Sequence, residues 1–113
     1  MTNKEIKIAY IEYDSIDELV AKDKELAQAA ITATATAYAP YSKFNVGAAV
    51  LFEDGEIVKG SNQENAAYPS GICAERTAIV KMLSEGEEEI EKIAVVGGQE
   101  DELMLTLPCG VCR

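Results

Sequence analysis

The chain has 113 residues, 48% apolar and 27% charged, the length and composition of one globular domain that buries a core without extra staples. Twenty acids against ten bases give a formal net charge of −10. Most of such a surface repels a polyanion, so nucleic acid is excluded as an expected partner and a small uncharged substrate fits better. Histidine is absent, which removes His-based triads, Cys–His nucleophilic pairs and every His-ligated zinc site.

No run of about 18 apolar residues exists, so no membrane span is expected. The stretch Met1 to Ile11 carries Lys4, Glu5 and Lys7 and does not read as a signal peptide; a cytoplasmic location is expected. A single domain over 1–113 is expected, with an N-terminal arm over about 1–20. Within the arm, Glu5 to Tyr13 alternates loosely and reads as a short strand or an extended segment. Ser15 with Glu18 fits a capping box. From there to about Ala39 helix formers dominate, with Leu19, Leu26, Ala30 and Ile31 as a core-facing stripe. Pro40 ends that helix, and Tyr38 to Ser42 reads as a loop.

Phe44 to Glu53 has a strand pattern, Asp54-Gly55 is a strong hairpin turn signal, and Glu56 to Gly60 is the returning strand. Ser61 to Gly71 is polar, turn-rich and longer than a connector needs. A helix is predicted over Ile72 to Glu85, with Ile79, Val80 and Leu83 on its core side and Gly86 closing it. The run Glu85, Glu87, Glu88, Glu89 and Glu91 reads as a solvated turn. Lys92 to Gly98 holds a buried strand, Gln99 to Leu107 is a loop, and Pro108 opens a new segment. The order α-β-β-α-β, with one more helix beginning, implies a three-layer α/β/α sandwich around a mixed sheet.

Three cysteines without a secretion signal are either free thiols or metal ligands rather than a disulfide framework. Cys109-Gly-Val-Cys112 is a C-x-x-C; at a helix start both sulfurs reach one ion. Cys73 sits at the head of a predicted helix, where the dipole and free N–H groups favour thiolate. Three protein ligands leave a fourth tetrahedral position open, as in catalytic zinc. Glu75 lies two residues on, about 200° around an ideal helix. Both residues face one ion only if it lies off the helix end. Glu75 there either carries a proton for a metal-activated water or simply favours the positive end of the helix. Arg76 and Arg113 each follow a ligand segment; each is either a charge that withdraws excess density from the sulfurs or a surface residue.

Cys73-Ala-Glu75 followed by Pro108-Cys109-x-x-Cys112 resembles the zinc deaminase signature in its three-cysteine form. Tyr38 to Ser42, Phe44-x-Val46-Gly-Ala-Ala49, Asn62-x-Glu64-Asn-Ala66 and Ile72 to Ala78 look like the small homotetrameric cytidine deaminases, over about Leu26 to Arg113. The resemblance implies one zinc per subunit on Cys73, Cys109 and Cys112. It makes Glu75 the proton shuttle as water attacks C4 of cytosine and ammonia leaves. Asn62 and Glu64 would bond the ribose 3′-hydroxyl, Phe44 would pack on the pyrimidine, and Tyr68 would reach a neighbouring subunit's site. It also implies a helix and a further strand after the second cysteine pair, beyond Arg113. The expected function is hydrolytic deamination of cytidine and deoxycytidine in pyrimidine salvage. The alternatives are a deaminase of a related cytosine nucleoside antibiotic and a zinc-binding but inactive truncated fold.

Overall fold

In the computed structural model, residues 1–67, 70–86, 89–99, 102–104, 106–107 and 111–112 are described, residues 102–104 for their backbone alone. The first thirteen residues take no regular structure and lie exposed, so the arm is extended rather than a paired strand. The long helix expected from Ser15 to Ala39 is divided. A 3₁₀ turn at Ile16–Glu18 precedes helix α1, Ala21–Ala33, and a second 3₁₀ turn, Thr34–Thr36, follows it. The Ser15–Glu18 pair caps the first turn in altered form. Ser15 Oγ accepts from the Asp17 amide and Glu18 accepts from the Asp14 amide, both on the 3₁₀ turn ahead of α1. At the other end, the Thr34 hydroxyl donates to the Ile31 carbonyl and the Thr36 hydroxyl to the Ala33 carbonyl. Such local bonding tightens the backbone before Pro40 stops it.

Strand β1, Asn45–Phe52, is joined to β2, Ile57–Ser61, through the expected Asp54-Gly55 turn. Gly55 has φ +92°, a conformation other residues adopt only at a cost. Asp54 Oδ1 accepts from the Glu56 amide at 2.9 Å and holds the turn. Helix α2 spans Ala74–Ser84, and strand β3, Ile90–Gln99, follows. A short strand β4, Glu102–Met104, lies where a loop was expected; three residues carry too little periodicity to register in a sequence pattern. The sheet order is β2-β1-β3-β4.

All three pairings are antiparallel. This corrects the expectation of a mixed sheet among the described strands. The hairpin fixes β1 against β2, and α2 returns the chain to the other edge of β1, again antiparallel.

Period two along β1 places its side chains in two layers. Val50 and Phe52 pack with Val58, Ala78 and Met82 on the α2 side. Ala49 and Leu51 pack with Leu26 and Ala30 on the α1 side. The helices therefore cover opposite faces, which is the three-layer α/β/α arrangement. The buried face of α2 is only in part the one expected: Ile79 is half-buried and packs against the α2-side core. Ala74, Ala78 and Met82 are buried, whereas Val80 and Leu83 are exposed. Small residues are required because the helix rides almost on the backbone of β2: a Cβ on Gly60 would stand 2.4 Å from the Ala74 carbonyl oxygen. The Ile93 to Val96 segment of β3 is half-buried rather than buried.

Candidate metal centre

Three segments are stitched side by side at one end of the sheet. The Tyr38 amide donates to the Asn62 carbonyl at 2.9 Å, and the Glu64 amide donates to the Tyr38 carbonyl at 2.8 Å. Gln63 and Ile72 exchange backbone bonds of 2.8 and 2.9 Å. The polar stretch after β2 thus earns its length as a tie between the end of α1 and the start of α2. It borders an open cleft of about 540 Å³, within the roughly 300–1,000 Å³ typical of small-molecule sites, lined among others by Tyr41, Asn62, Glu64, Cys73, Glu75 and Thr106.

Cys73 is the N-cap of α2, with φ −75° and ψ 160°. It is extended rather than helical, so the 200° separation from Glu75 does not apply. The two side chains converge off the end of the helix, the one geometry in which they face a common point. The Thr77 amide and hydroxyl both donate to the Cys73 carbonyl, each at 3.0 Å, and the hydroxyl lies 3.2 Å from the Ser61 carbonyl. The cap is thereby pinned to β2. Glu75 is buried at 5% exposure, and Cys73 and Cys112 are half-buried.

The donor atoms of Cys73, Glu75 and Cys112 all lie within 4.8 Å of one another, and the two sulfurs are 3.5 Å apart. Two thiolates on one tetrahedral zinc, each at about 2.3 Å, stand roughly 3.8 Å from each other. The cluster therefore fits a zinc ion with little movement. The positive end of α2 favours negatively charged ligand atoms at that position. Cys109, Tyr68 and Arg113 lie outside the described residues. Arg76 is exposed on the first turn of α2.

The nucleoside-binding candidates gather beside this cluster, and each braces the backbone. Asn62 Oδ1 accepts from the Val46 amide at 2.9 Å, and Asn62 Nδ2 donates to the Phe44 carbonyl at 2.9 Å. One amide proton and one oxygen lone pair remain over. The Glu64 carboxylate accepts from the Tyr41 and Ser42 amides at 3.1 Å each and from the Ser42 hydroxyl at 2.5 Å. The hydrogen bonds of Ser42, side chain first, hold the Glu64 carboxyl below the ordinary glutamate range. Phe44 is half-buried. Its ring lies over Gly97 of β3, where a Cβ would come within 2.7 Å of both the ring and the Thr106 hydroxyl. Sequence reasoning passed over Ser42, Gly60 and Thr77. Ser42 and Thr77 stand inside quoted motifs, but each also reaches a partner distant in sequence, Glu64 for Ser42 and Ser61 for Thr77.

The fold and site define a zinc-binding deaminase domain. The chain belongs to the family of the cytidine and deoxycytidylate deaminase zinc-binding region, whose model matches residues 20–113. It is similar to a cytidine deaminase of Halalkalibacterium halodurans, 49% identical over 88 residues that cover 78% of this chain and 64% of that protein. A cytidine deaminase of Sporosarcina psychrophila is 45% identical over 98 residues, 87% of this chain and 65% of that protein. The chain thus spans just under two thirds of the length of these curated relatives. Among solved structures, cytidine deaminase from Burkholderia pseudomallei matches with a TM-score of 0.69 and 46% identity, covering 78% of this chain and 68% of that one. No helix of the described residues is long and apolar enough to cross a membrane.

Proposed function

We propose that the protein deaminates cytidine and deoxycytidine by hydrolysis, as one domain over 1–113 with an arm at about 1–20. The observation that carries this reading is the convergence of Cys73, Glu75 and Cys112 at a cleft that also holds Asn62 and Glu64. Cys73 and Cys112, with Cys109, hold one zinc per subunit. A zinc ion there supplies the Lewis acidity that makes water nucleophilic near neutral pH. Glu75, buried beside both sulfurs, takes the proton of the attacking water and delivers it to the substrate nitrogen. The C4–O bond forms, the C4–N bond breaks, and ammonia leaves.

Asn62 and Glu64 use their remaining hydrogen-bonding capacity on the ribose 3′-hydroxyl. A paired amide and carboxylate discriminate strongly against a substrate lacking that group. Phe44 packs on the pyrimidine, Tyr68 completes a neighbouring subunit's site in a homotetramer, and Arg76 and Arg113 moderate the charge on the sulfurs. The setting is pyrimidine salvage in the cytoplasm. The kinship with cytidine deaminases supports these assignments. The test is stoichiometric ammonia and uridine from cytidine by zinc-loaded protein, measured on this chain and on one extended past Arg113. Retained zinc with no turnover of any cytosine nucleoside by either protein would overturn the reading.

A further inference from the structure

Ser42 occupies a junction that no functional role yet explains. Its hydroxyl donates to Glu64 Oε2 at 2.5 Å and accepts from the Phe44 amide at 3.0 Å. Its own amide donates to Glu64 Oε1. Lys43, between them, has φ +60°, the left-handed turn that brings the Phe44 amide back onto the Ser42 oxygen. The other peptide group of Phe44 is held by Asn62 Nδ2. One hydroxyl therefore ties together the acid and the aromatic residue assigned to opposite parts of a nucleoside.

We propose that Ser42 is a positioning residue: it sets the Glu64 carboxylate so that its one unoccupied direction faces the sugar hydroxyl in the cleft. A carboxylate offers about four acceptor directions. The Tyr41 and Ser42 amides take both on Oε1, and the Ser42 hydroxyl takes one on Oε2. The fourth, on Oε2, is left over on a residue that lines the cleft. Without the hydroxyl, Oε2 has no described partner, and the carboxylate rotates about its terminal bond, whose torsion is soft. The sugar hydroxyl then loses an aligned acceptor while the rest of the nucleoside is held as before.

This inference rests on the nucleoside-deaminase reading above. The experiment compares cytidine with 3′-deoxycytidine, which lacks only the hydroxyl in question, on zinc-loaded protein. In wild type the ratio of kcat/KM for the two nucleosides favours cytidine. In Ser42→Ala that preference falls about tenfold, the size of effect expected when one hydrogen bond to a charged group loses its geometry. Ser42→Gly, which also lacks the hydroxyl and fits any turn, gives the same fall should the alanine variant fold poorly. In a Glu64→Ala background the preference is already lost, and removing the Ser42 hydroxyl lowers it no further.

A merely structural role for Ser42 would depress both nucleosides alike and leave their ratio at the wild-type value. That result would overturn the inference, as would an equal drop in the ratio with Glu64 already removed. Wild-type protein that turns over neither nucleoside would instead overturn the proposed function.

Discussion

Gly60 sets the height of α2 above the sheet, and through it the position of the metal-binding cap. A Cβ at Gly60 would lie 2.4 Å from the Ala74 oxygen, 2.7 Å from the Ala78 nitrogen and 3.1 Å from the Ala78 Cβ. Two of these are helix backbone atoms, which have no rotamer to escape into. To restore the 3.4 Å at which ordinary contact begins, the first turn of α2 must retreat by about 1 Å. Overpacking of this kind costs about 1–3 kcal/mol, which for a domain of this size lowers Tm by roughly 10 °C. The retreat carries Cys73 and Glu75 with it, and a displacement of about 1 Å at a reacting centre costs roughly 100-fold in rate. Gly60→Ala is therefore expected to lose stability, zinc affinity and turnover together. The assays are thermal unfolding, zinc retention against a competing chelator, and kcat/KM for cytidine. Gly55→Ala is the control, since Gly55 has positive φ and nothing within 4 Å of a Cβ. It costs about 1 kcal/mol of backbone strain with site properties unchanged. A Gly60→Ala protein with wild-type Tm, zinc affinity and turnover would refute the close-packing argument.

Glu75→Gln is expected to keep zinc and Tm while losing at least about 10²-fold in turnover, the lower end of general acid–base contributions; metal analysis beside steady-state kinetics checks this. Cys112→Ser is expected to release zinc at chelator concentrations that leave the wild type loaded, because one of the ligands that bring the ion to the head of α2 is gone; a chelator titration followed by metal analysis reads it. For Glu64, the Ser42 hydrogen bonds favour the charged form and depress its pKa. A group depressed in this way contributes stability that is present above its unfolded pKa and lost as pH falls through the folded one. Carbon-13 NMR of the Glu64 carboxyl should titrate below the ordinary glutamate range in wild type and move upward in Ser42→Ala; an unchanged midpoint would contradict the assigned cause.

Much of the fold was legible because it depends on local signals. The strand pattern of Phe44 to Glu53 and the Asp54-Gly55 turn marked the central hairpin, and Pro40 marked the end of the first helical stretch. The misses have separate physical causes. The face that α2 buries is decided by the glycine opposite it on β2, so Val80 and Leu83, apolar by type, lie outside while Ala74 and Ala78 lie inside. Propensity favoured one unbroken helix from Ser15, but side-chain bonds from Ser15, Thr34 and Thr36 to nearby backbone formed 3₁₀ turns at both ends. β4 was too short to show.

At the site, Cys73, Cys112 and Glu75 were legible by residue type and spacing, and their convergence became a geometric fact only with Cys73 placed as an extended cap. Asn62 and Glu64 were singled out only by the resemblance of their motif, since by residue type alone they read as a polar turn. Their bracing of Phe44, Val46 and the Tyr41–Ser42 turn depends on contacts 16 to 23 residues apart in sequence, which no local pattern records.

The central claim is that the cluster at the head of α2 is a zinc site whose neighbouring carboxylate moves the proton in cytidine hydrolysis. Its most direct test is ammonia release from cytidine by zinc-loaded wild type beside zinc-loaded Glu75→Gln. The account predicts one ammonia per uridine in the wild type and near-complete loss in the variant at equal zinc content. Equal rates in the two proteins, or no ammonia from either with zinc bound, would contradict it.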